Sequence, residues 1–301
     1  KAAAEHGASA AVVLSTGLGQ GEGSFAAELQ GIARTHGMRL AGPNSLGVIA
    51  PHARLNASFA AHTPLPGDIA LVSQSAAIAA ALVEWGAGRG IGFSAVAALG
   101  DALDVDFADL LDYFARDRHP RATLLYVESV RDARKFMSAA RAAARLKPVV
   151  VVKSGRHAPR ASAPHTHAAA LASPDAVYAA AFHRAGMLRV RALNELFSAA
   201  EALSRVESLP GRRLAILANG RGTGSLAADR LLDMGGTLAS ISDQTRARIQ
   251  PIASTAWPGT NPVDFYGDVD HASYAEAFRA LASHDQNDAV LAGQEAREAA
   301  A

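Results

Sequence analysis

The 301 residues contain no cysteine. Disulfides and thiolate metal sites are excluded on that ground, and a cytoplasmic setting is the expectation. Aromatic residues are scarce at 6% while glycine and alanine abound, which suits closely packed α/β layers better than an all-β sandwich. Neither charge sign dominates: 29 Lys plus Arg stand against 28 Asp plus Glu, with no basic block, so no nucleic-acid partner is expected. The longest apolar runs, such as LKPVVVVKSG, fall far short of the roughly 20 residues that span a bilayer, so no membrane partner is expected either. The opening KAAAEHG reads as neither a signal peptide nor a natural start, and a piece from inside a longer protein is the expectation.

Half of the residues are hydrophobic, enough for two globular domains of ordinary size. β-Branched runs alternate with alanine-rich helical periods. AAVVLSTG reads as a strand, SFAAELQGIARTHG as a helix, and MRLAGPNSLGVIAP as one short strand ending in a loop. DIALVSQS, FSAVAALGD, ATLLYVES and KPVVVVKSG read as strands separated by amphipathic helices. Near-continuous apolar strands between helices predict right-handed βαβ crossovers and a buried parallel sheet. A linker with Pro210 and Gly211 then leads into a second α/β unit, in which LAILANG and TLASIS read as strands and TAWPGTNPVDFYGDVD as a loop. The strand begun by DAVL gives way to AGQEAREAAA without a turn signal, which suggests residues missing between Leu291 and Ala292.

Several segments carry chemistry. Ser73, Gln74 and Ser75 fall between a strand and a helix, where a parallel sheet presents its carboxyl ends and a helix presents unpaired N–H groups to anions. The plainer reading is a serine cap. Gly220, Gly222 and Gly224 repeat the arrangement in the second unit with Ser225 as the cap, although a tight βα turn explains them as well. Their spacing matches neither the dinucleotide fingerprint nor the P-loop. Glu128, at a strand end, either orients an imidazole or is simply solvated. His165 and His167 lie two apart in a loop-like run before a helix. Further zinc ligands at clear spacing are lacking, and no G-x-S-x-G elbow occurs, so a metal site and a serine hydrolase are both disfavoured. Imidazole acting as a nucleophile towards phosphorus remains, given an anion pocket to receive it.

Taken together, GPNSLGVIAP, SQSAAIAAALVEW, LGDALDVDFADLLDY, YVESVRDARKF, KPVVVVKSGR, ILANGRGTGSLAADRL and NPVDFYGD resemble, in order, the motifs of the NDP-forming acyl-CoA synthetase superfamily. The resemblance implies tandem doubly wound, flavodoxin-like α/β domains preceded by the end of a Rossmann-like CoA-binding domain. It implies boundaries at 1–62 (end of the CoA-binding domain), 63–208 (flavodoxin-like domain with the phosphohistidine loop) and 209–301 (second flavodoxin-like domain). In that superfamily a histidine of the segment H-T-G-x-L-A-G-S-D-x-V-Y carries the phosphoryl group. Counting back from Val177 and Tyr178 puts it on His167, two residues from His165. The steadying glutamate falls on Glu128, and the two phosphate-cradling helix starts on Ser73–Ala76 and Asn219–Ser225. Pro43 and Asn44 fall on the loop that follows the CoA-binding domain.

The implied reaction interconverts acyl-CoA, ADP and phosphate with acid, CoA and ATP. Mg2+ and nucleotide would be held on an ATP-grasp domain or subunit outside this segment, in a homo- or hetero-oligomer. The sequence departs from the motifs at Ala168–Ala169 for Thr-Gly, Ala76 for glycine and Asp101–Ala102 for Asn-Lys. Those departures define the alternative expectation, a non-catalytic acyl-CoA-sensing region of a bifunctional protein lysine acetyltransferase.

Overall fold

A computed structural model describes residues 1–156, 175–205, 209, 211–267, 269–283 and 285–293. The chain divides into two compact units, Lys1–Val206 and Glu207–Ala301.

The first unit opens with α1 (Ala2–Glu5), β1 (Ala10–Val12), α2 (Phe25–Thr35) and β2 (Arg39–Ala41); β1 and β2 pair in parallel. Ser24 caps α2 by accepting the Ala27 N–H at 3.2 Å, which satisfies a first-turn donor. The sequence expectation of a short strand ending in a loop over MRLAGPNSLGVIAP needs correcting in its second half. The run is broken at the cis Gly42–Pro43 bond, and its second half forms β3 (Gly47–Ala50), which pairs antiparallel with β4 (Leu55–Ser58). Gly47 takes φ +119°, and a Cβ there would lie 2.2 Å from the Ala57 carbonyl oxygen, so only glycine permits this close pairing. Residues 47–58, expected within the first segment, instead supply two strands to the sheet that follows.

That sheet has seven strands in the order β4-β3-β6-β5-β7-β8-β9. Its remaining members are β5 (Pro66–Ser73), β6 (Phe93–Ala98), β7 (Ala122–Val127), β8 (Val149–Lys153) and β9 (Leu188–Val190). β5 to β9 pair in parallel, while β3 meets β6 antiparallel. β9 is a short strand that the sequence reading passed over. The helices are α3 (Ala76–Ala87), α4 (Phe107–Arg116), α5 (Ala133–Leu146), α6 (Asp175–Ala185) and α7 (Leu193–Arg205). Both sheet faces are buried, as near-continuous apolar strands require. Val72, Leu125 and Val151 pack with Leu111, Phe136 and Phe182 on one side. Leu71, Leu124 and Val150 pack with Leu82, Leu196 and Ala200 on the other.

The acidic residues of LGDALDVDFADLL are absorbed by local structure. Asp104 accepts from the Leu40 N–H and from Arg39. Asp106 caps α4, and Asp109 returns a bond to the Asp106 N–H, closing a capping box. Lys135 donates to Asp109 at 2.7 Å and to Asp106 at 3.0 Å. Burial alone would raise the Asp109 carboxyl, but the bonds from Lys135 and the Asp106 N–H outweigh it and hold that carboxyl below its usual range.

In the second unit β10 (Arg213–Ala218) pairs in parallel with β11 (Thr237–Leu238), β12 (Val263–Asp264) and β13 (Ala289–Gly293). The helices are α8 (Arg221–Asp233), α9 (Asp243–Ile249) and α10 (His271–Ala282). NPVDF, expected as loop, holds the two-residue β12. Its Asn261 explains why: the side chain accepts the Ile216 N–H and donates to the Leu214 and Ala239 carbonyls, stitching this segment to β10 and β11. β13 runs unbroken through Leu291 and Ala292, which pair with Ile216 and Leu217.

Leu124 is fully buried on the interior strand β7. Leu124→Ala is expected to lower the unfolding free energy of the first unit by about 2–5 kcal/mol in urea titrations followed by far-UV circular dichroism. A loss under half a kcal/mol would contradict the packing described. The depressed Asp109 carboxyl contributes stability that is present above its unfolded value near 3.9 and is lost as pH falls through its folded value. Stability should therefore decline below about pH 4, with a shallower decline in Asp109→Asn, as read from acid-titrated denaturation curves.

Candidate functional site

In a parallel sheet the last N–H groups of each strand have no neighbour to continue the ladder, and ligands bind where the chain turns into the next helix. At the carboxyl edge of the seven-stranded sheet these groups are tied together. Ser73 ends β5, and its hydroxyl accepts the Ser75 N–H at 3.1 Å while donating to the Ser75 carbonyl at 2.8 Å. Gln74, 9% exposed, reaches sideways: its Oε1 accepts the Glu128 N–H at 2.6 Å and the Ser129 N–H at 2.9 Å. Its own N–H donates to the Tyr126 carbonyl, and the Leu99 N–H donates to the Ser73 carbonyl. Glu128 is the first residue past β7, and its side chain is half-buried and has partners of its own.

Ser75 caps α3 by accepting the Ile78 N–H at 3.3 Å. The plain cap proposed for this region is therefore real, and it belongs to Ser75 rather than Ser73. It uses the third N–H of the helix, which leaves those of Ala76 and Ala77 outside the intrahelical pattern. Pro43 and Asn44 lie against the turn that follows β6. The Asp101 N–H donates to the Pro43 carbonyl, and the Asn44 side chain donates to Asp101 Oδ1 at 3.2 Å. A Cβ on Gly100 would lie 2.1 Å from the Pro43 oxygen, so that glycine is required by backbone approach. The Asp101 carboxylate is thus engaged by Asn44.

Lys153 ends β8 and is 3% exposed. Sequence reasoning passed over it, although a lysine closing a run of four valines is a visible signal. Its Nζ lies 4.7 Å from the Tyr178 ring centroid and donates to the Ser154 carbonyl. Arg189 pairs with Asp175 at the start of α6. Burial pushes the Lys153 ammonium below its usual range; Asp175 and Glu128 oppose that push, and Arg189 adds to it. His165, His167 and Ala168–Ala169 lie outside the described residues.

The second unit has a glycine-rich counterpart with one correction. Ser225 lies within α8; the cap position is Gly220, which offers no side-chain bond. Residues 221–224 are therefore the first turn of the helix, and its cap residue contributes no side-chain acceptor. The glycines divide by role. A Cβ on Gly224 would touch Ala218 and Pro262 at 3.4 and 3.5 Å, so Gly224 serves helix-to-sheet packing. A Cβ on Gly222 would meet nothing within 4 Å, so packing does not call for a glycine there. Asn219 is buried, and its carbonyl accepts the Gly267 N–H at 2.8 Å. Among the described residues no group of three or more His, Asp or Glu could hold a metal, and no helix is long and apolar enough to cross a membrane.

Residues 66–203 match the family described as succinyl-CoA ligase like flavodoxin domain. The chain is 39% identical over 280 residues to the alpha subunit of ADP-forming acetate–CoA ligase I from Pyrococcus furiosus, a match covering 91% of this chain and 60% of that one. It is 36% identical to ADP-forming acetate–CoA ligase I from Archaeoglobus fulgidus, covering 93% of this chain and 41% of the relative. Among solved structures, acetyl-coenzyme A synthetase 1 of Ca. Korarchaeum cryptofilum, in complex with phosphate and ADP, superposes with a TM-score of 0.89 at 30% identity. That match covers 97% of this chain and 64% of the other. The chain thus spans roughly two fifths to two thirds of these relatives. Its motifs, their order along two α/β units and the extent of these matches agree: the chain belongs to the NDP-forming acyl-CoA synthetase superfamily.

Proposed function

We propose that this chain is the acyl-CoA and phosphohistidine region of an ADP-forming acid–CoA ligase of the acetate–CoA ligase type. The activity would be completed by an ATP-grasp domain or subunit that brings ADP or ATP with Mg2+. The observation that carries the reading is the α8 start: a helix N-terminus with no side-chain cap, preceded by Asn219 and Gly220 and left open at Gly222. Backbone N–H groups and the helix dipole at such an end suit phosphate.

In the direction of ATP synthesis, a phosphate oxygen attacks the thioester carbon and the C–S bond breaks, with sulfur leaving as CoA thiolate. The His167 imidazole then attacks phosphorus. An N–P bond forms as the P–O bond to the acyl oxygen breaks, and the carboxylate leaves with that electron pair. Phosphohistidine finally passes the group to ADP. Glu128, whose backbone is fixed by Gln74, is the carboxylate that steadies the ring. Within the first unit the helix start at Ser73–Ala76 would offer N–H donors to the transferring oxygens and Pro43–Asn44 would serve the CoA side, and the start at Asn219–Ser225 would be the second unit's own phosphate cradle. Transfer of this kind depends on positioning and charge neutralisation more than on covalent steps. The acyl-CoA-sensing reading is tested by the same assay.

His167→Asn in the complete protein is expected to lower acyl-CoA-dependent ATP formation by at least about a thousandfold, with acyl-CoA binding retained. If wild type binds acyl-CoA in calorimetry but makes no ATP, the ligase reading fails and the sensing reading stands. Gly222→Ala is expected to stabilise the second unit by about 0.4–1 kcal/mol, because alanine is the better helix residue, while lowering ATP formation severalfold. Stabilisation with full activity would mean that Gly222 does not admit phosphate.

A further inference from the structure

The reading above leaves one buried cation without a task. Lys153 continues the line of Val149 and Val151, which face α5 and α6, and a fifth apolar residue would complete the strand at no cost in charge burial. An ammonium has three donors. Among the described residues one hydrogen-bond acceptor is present, the Ser154 carbonyl, and no carboxylate lies at ion-pair distance. Asp175, the nearest candidate on α6, is taken by Arg189, which bonds its carboxylate and, at 3.4 Å, its carbonyl. One carbonyl and the face of Tyr178 compensate only part of what removing an ammonium from water costs.

The location sharpens the point. Lys153 pairs in register with Val127, the residue before Glu128. Two bonds tie this corner: the Ser154 N–H donates to the Val127 carbonyl, and the Val130 N–H donates to the Tyr178 hydroxyl. Lys153 therefore lies where β7, β8 and α6 converge at the carboxyl edge, beside the glutamate assigned to the histidine. Away from water a charge is screened weakly, so this cation acts over several ångströms.

We propose that Lys153 is the positioning cation of the phosphoryl site, offsetting the negative charge of a phosphate group, free or carried on His167, held at the carboxyl edge of the seven-stranded sheet. The inference rests on the phosphohistidine reading. It adds a residue that acts by its field and through the Glu128 and Tyr178 corner, without itself exchanging bonds.

The test uses the complete protein with its nucleotide-binding part and compares wild type, Lys153→Met, Lys153→Arg and His167→Asn. Inorganic phosphate is the probe in ATP synthesis. Lys153→Met is expected to raise the KM for phosphate about tenfold or more while the KM for acyl-CoA stays within about twofold, and Lys153→Arg to recover most of the loss. In a second arm ATP alone supplies the phosphoryl group, and acid-labile label on histidine is counted. A deficit in the first arm assigns Lys153 to free phosphate, and a deficit in the second to the group on His167. Unchanged values in both arms, with label lost in His167→Asn, overturn the proposal and leave the phosphohistidine reading intact. A wild type without acid-labile label overturns that reading instead. Methionine continues an apolar strand, so Lys153→Met should fold as judged by circular dichroism; Lys153→Gln replaces it if not, with the same outcomes.

Discussion

One side-chain amide sets the geometry on which the first unit's site depends. Parallel strands end with N–H groups that the ladder no longer satisfies, and at β7 two of them meet the Gln74 carbonyl oxygen. A buried N–H without an acceptor costs about 1–3 kcal/mol, so this contact fixes where the chain turns after β7 as well as satisfying it. Glu128 is thereby held by its backbone at the sheet's carboxyl edge, half-buried and with further partners of its own. The same residue joins β5 to α3, so the helix start and the glutamate's backbone are tied together. Gln74 is a positioning element, and the polarity of its neighbourhood follows from the sheet's topology.

Much of this was legible in the sequence because burial on both sheet faces leaves a compositional trace. DIALVS and VVVV can be read as interior strands because no solvent-facing residue interrupts them. The β3–β4 pairing was not legible. GPNSLGVIAP carries the Gly, Pro and Asn of a loop, and the strand in its second half is set by pairing with β4 and with the sequence-distant β6. β12 escaped for a related reason: two residues carry no periodicity, and Asn261, not strand propensity, holds them in the sheet. The acids of DVDFADLL illustrate the converse, since they identify a family yet serve as caps and ion pairs. A glycine run before a helix reads equally as a turn or as a first helical turn. That ambiguity put the cap on Ser225 when it belongs to Gly220.

The two helix starts differ in a way that bears on chemistry. α3 is capped by Ser75 and begins with Ala76 and Ala77, so one of its orphan donors is already used. α8 begins at an uncapped glycine and keeps Gly222 where an added Cβ would meet nothing within 4 Å. A chain selected for stability alone would cap the second helix and fill that position. Leaving both undone is what the proposed oxyanion site at α8 requires, and in the first unit Lys153 is the proposed opposing charge. Stability forgone at named positions is the physical signature of a site in this fold.

The central claim is that phosphate rests on one imidazole between thioester and nucleotide. Its most direct test is peptide mapping by mass spectrometry, under alkaline conditions, of the complete protein after incubation with acyl-CoA and inorganic phosphate but no nucleotide. The account predicts phosphate on the His167 imidazole, discharged when ADP is added. Phosphate on His165 or on a carboxylate, or none at all in a preparation that makes ATP, would contradict it.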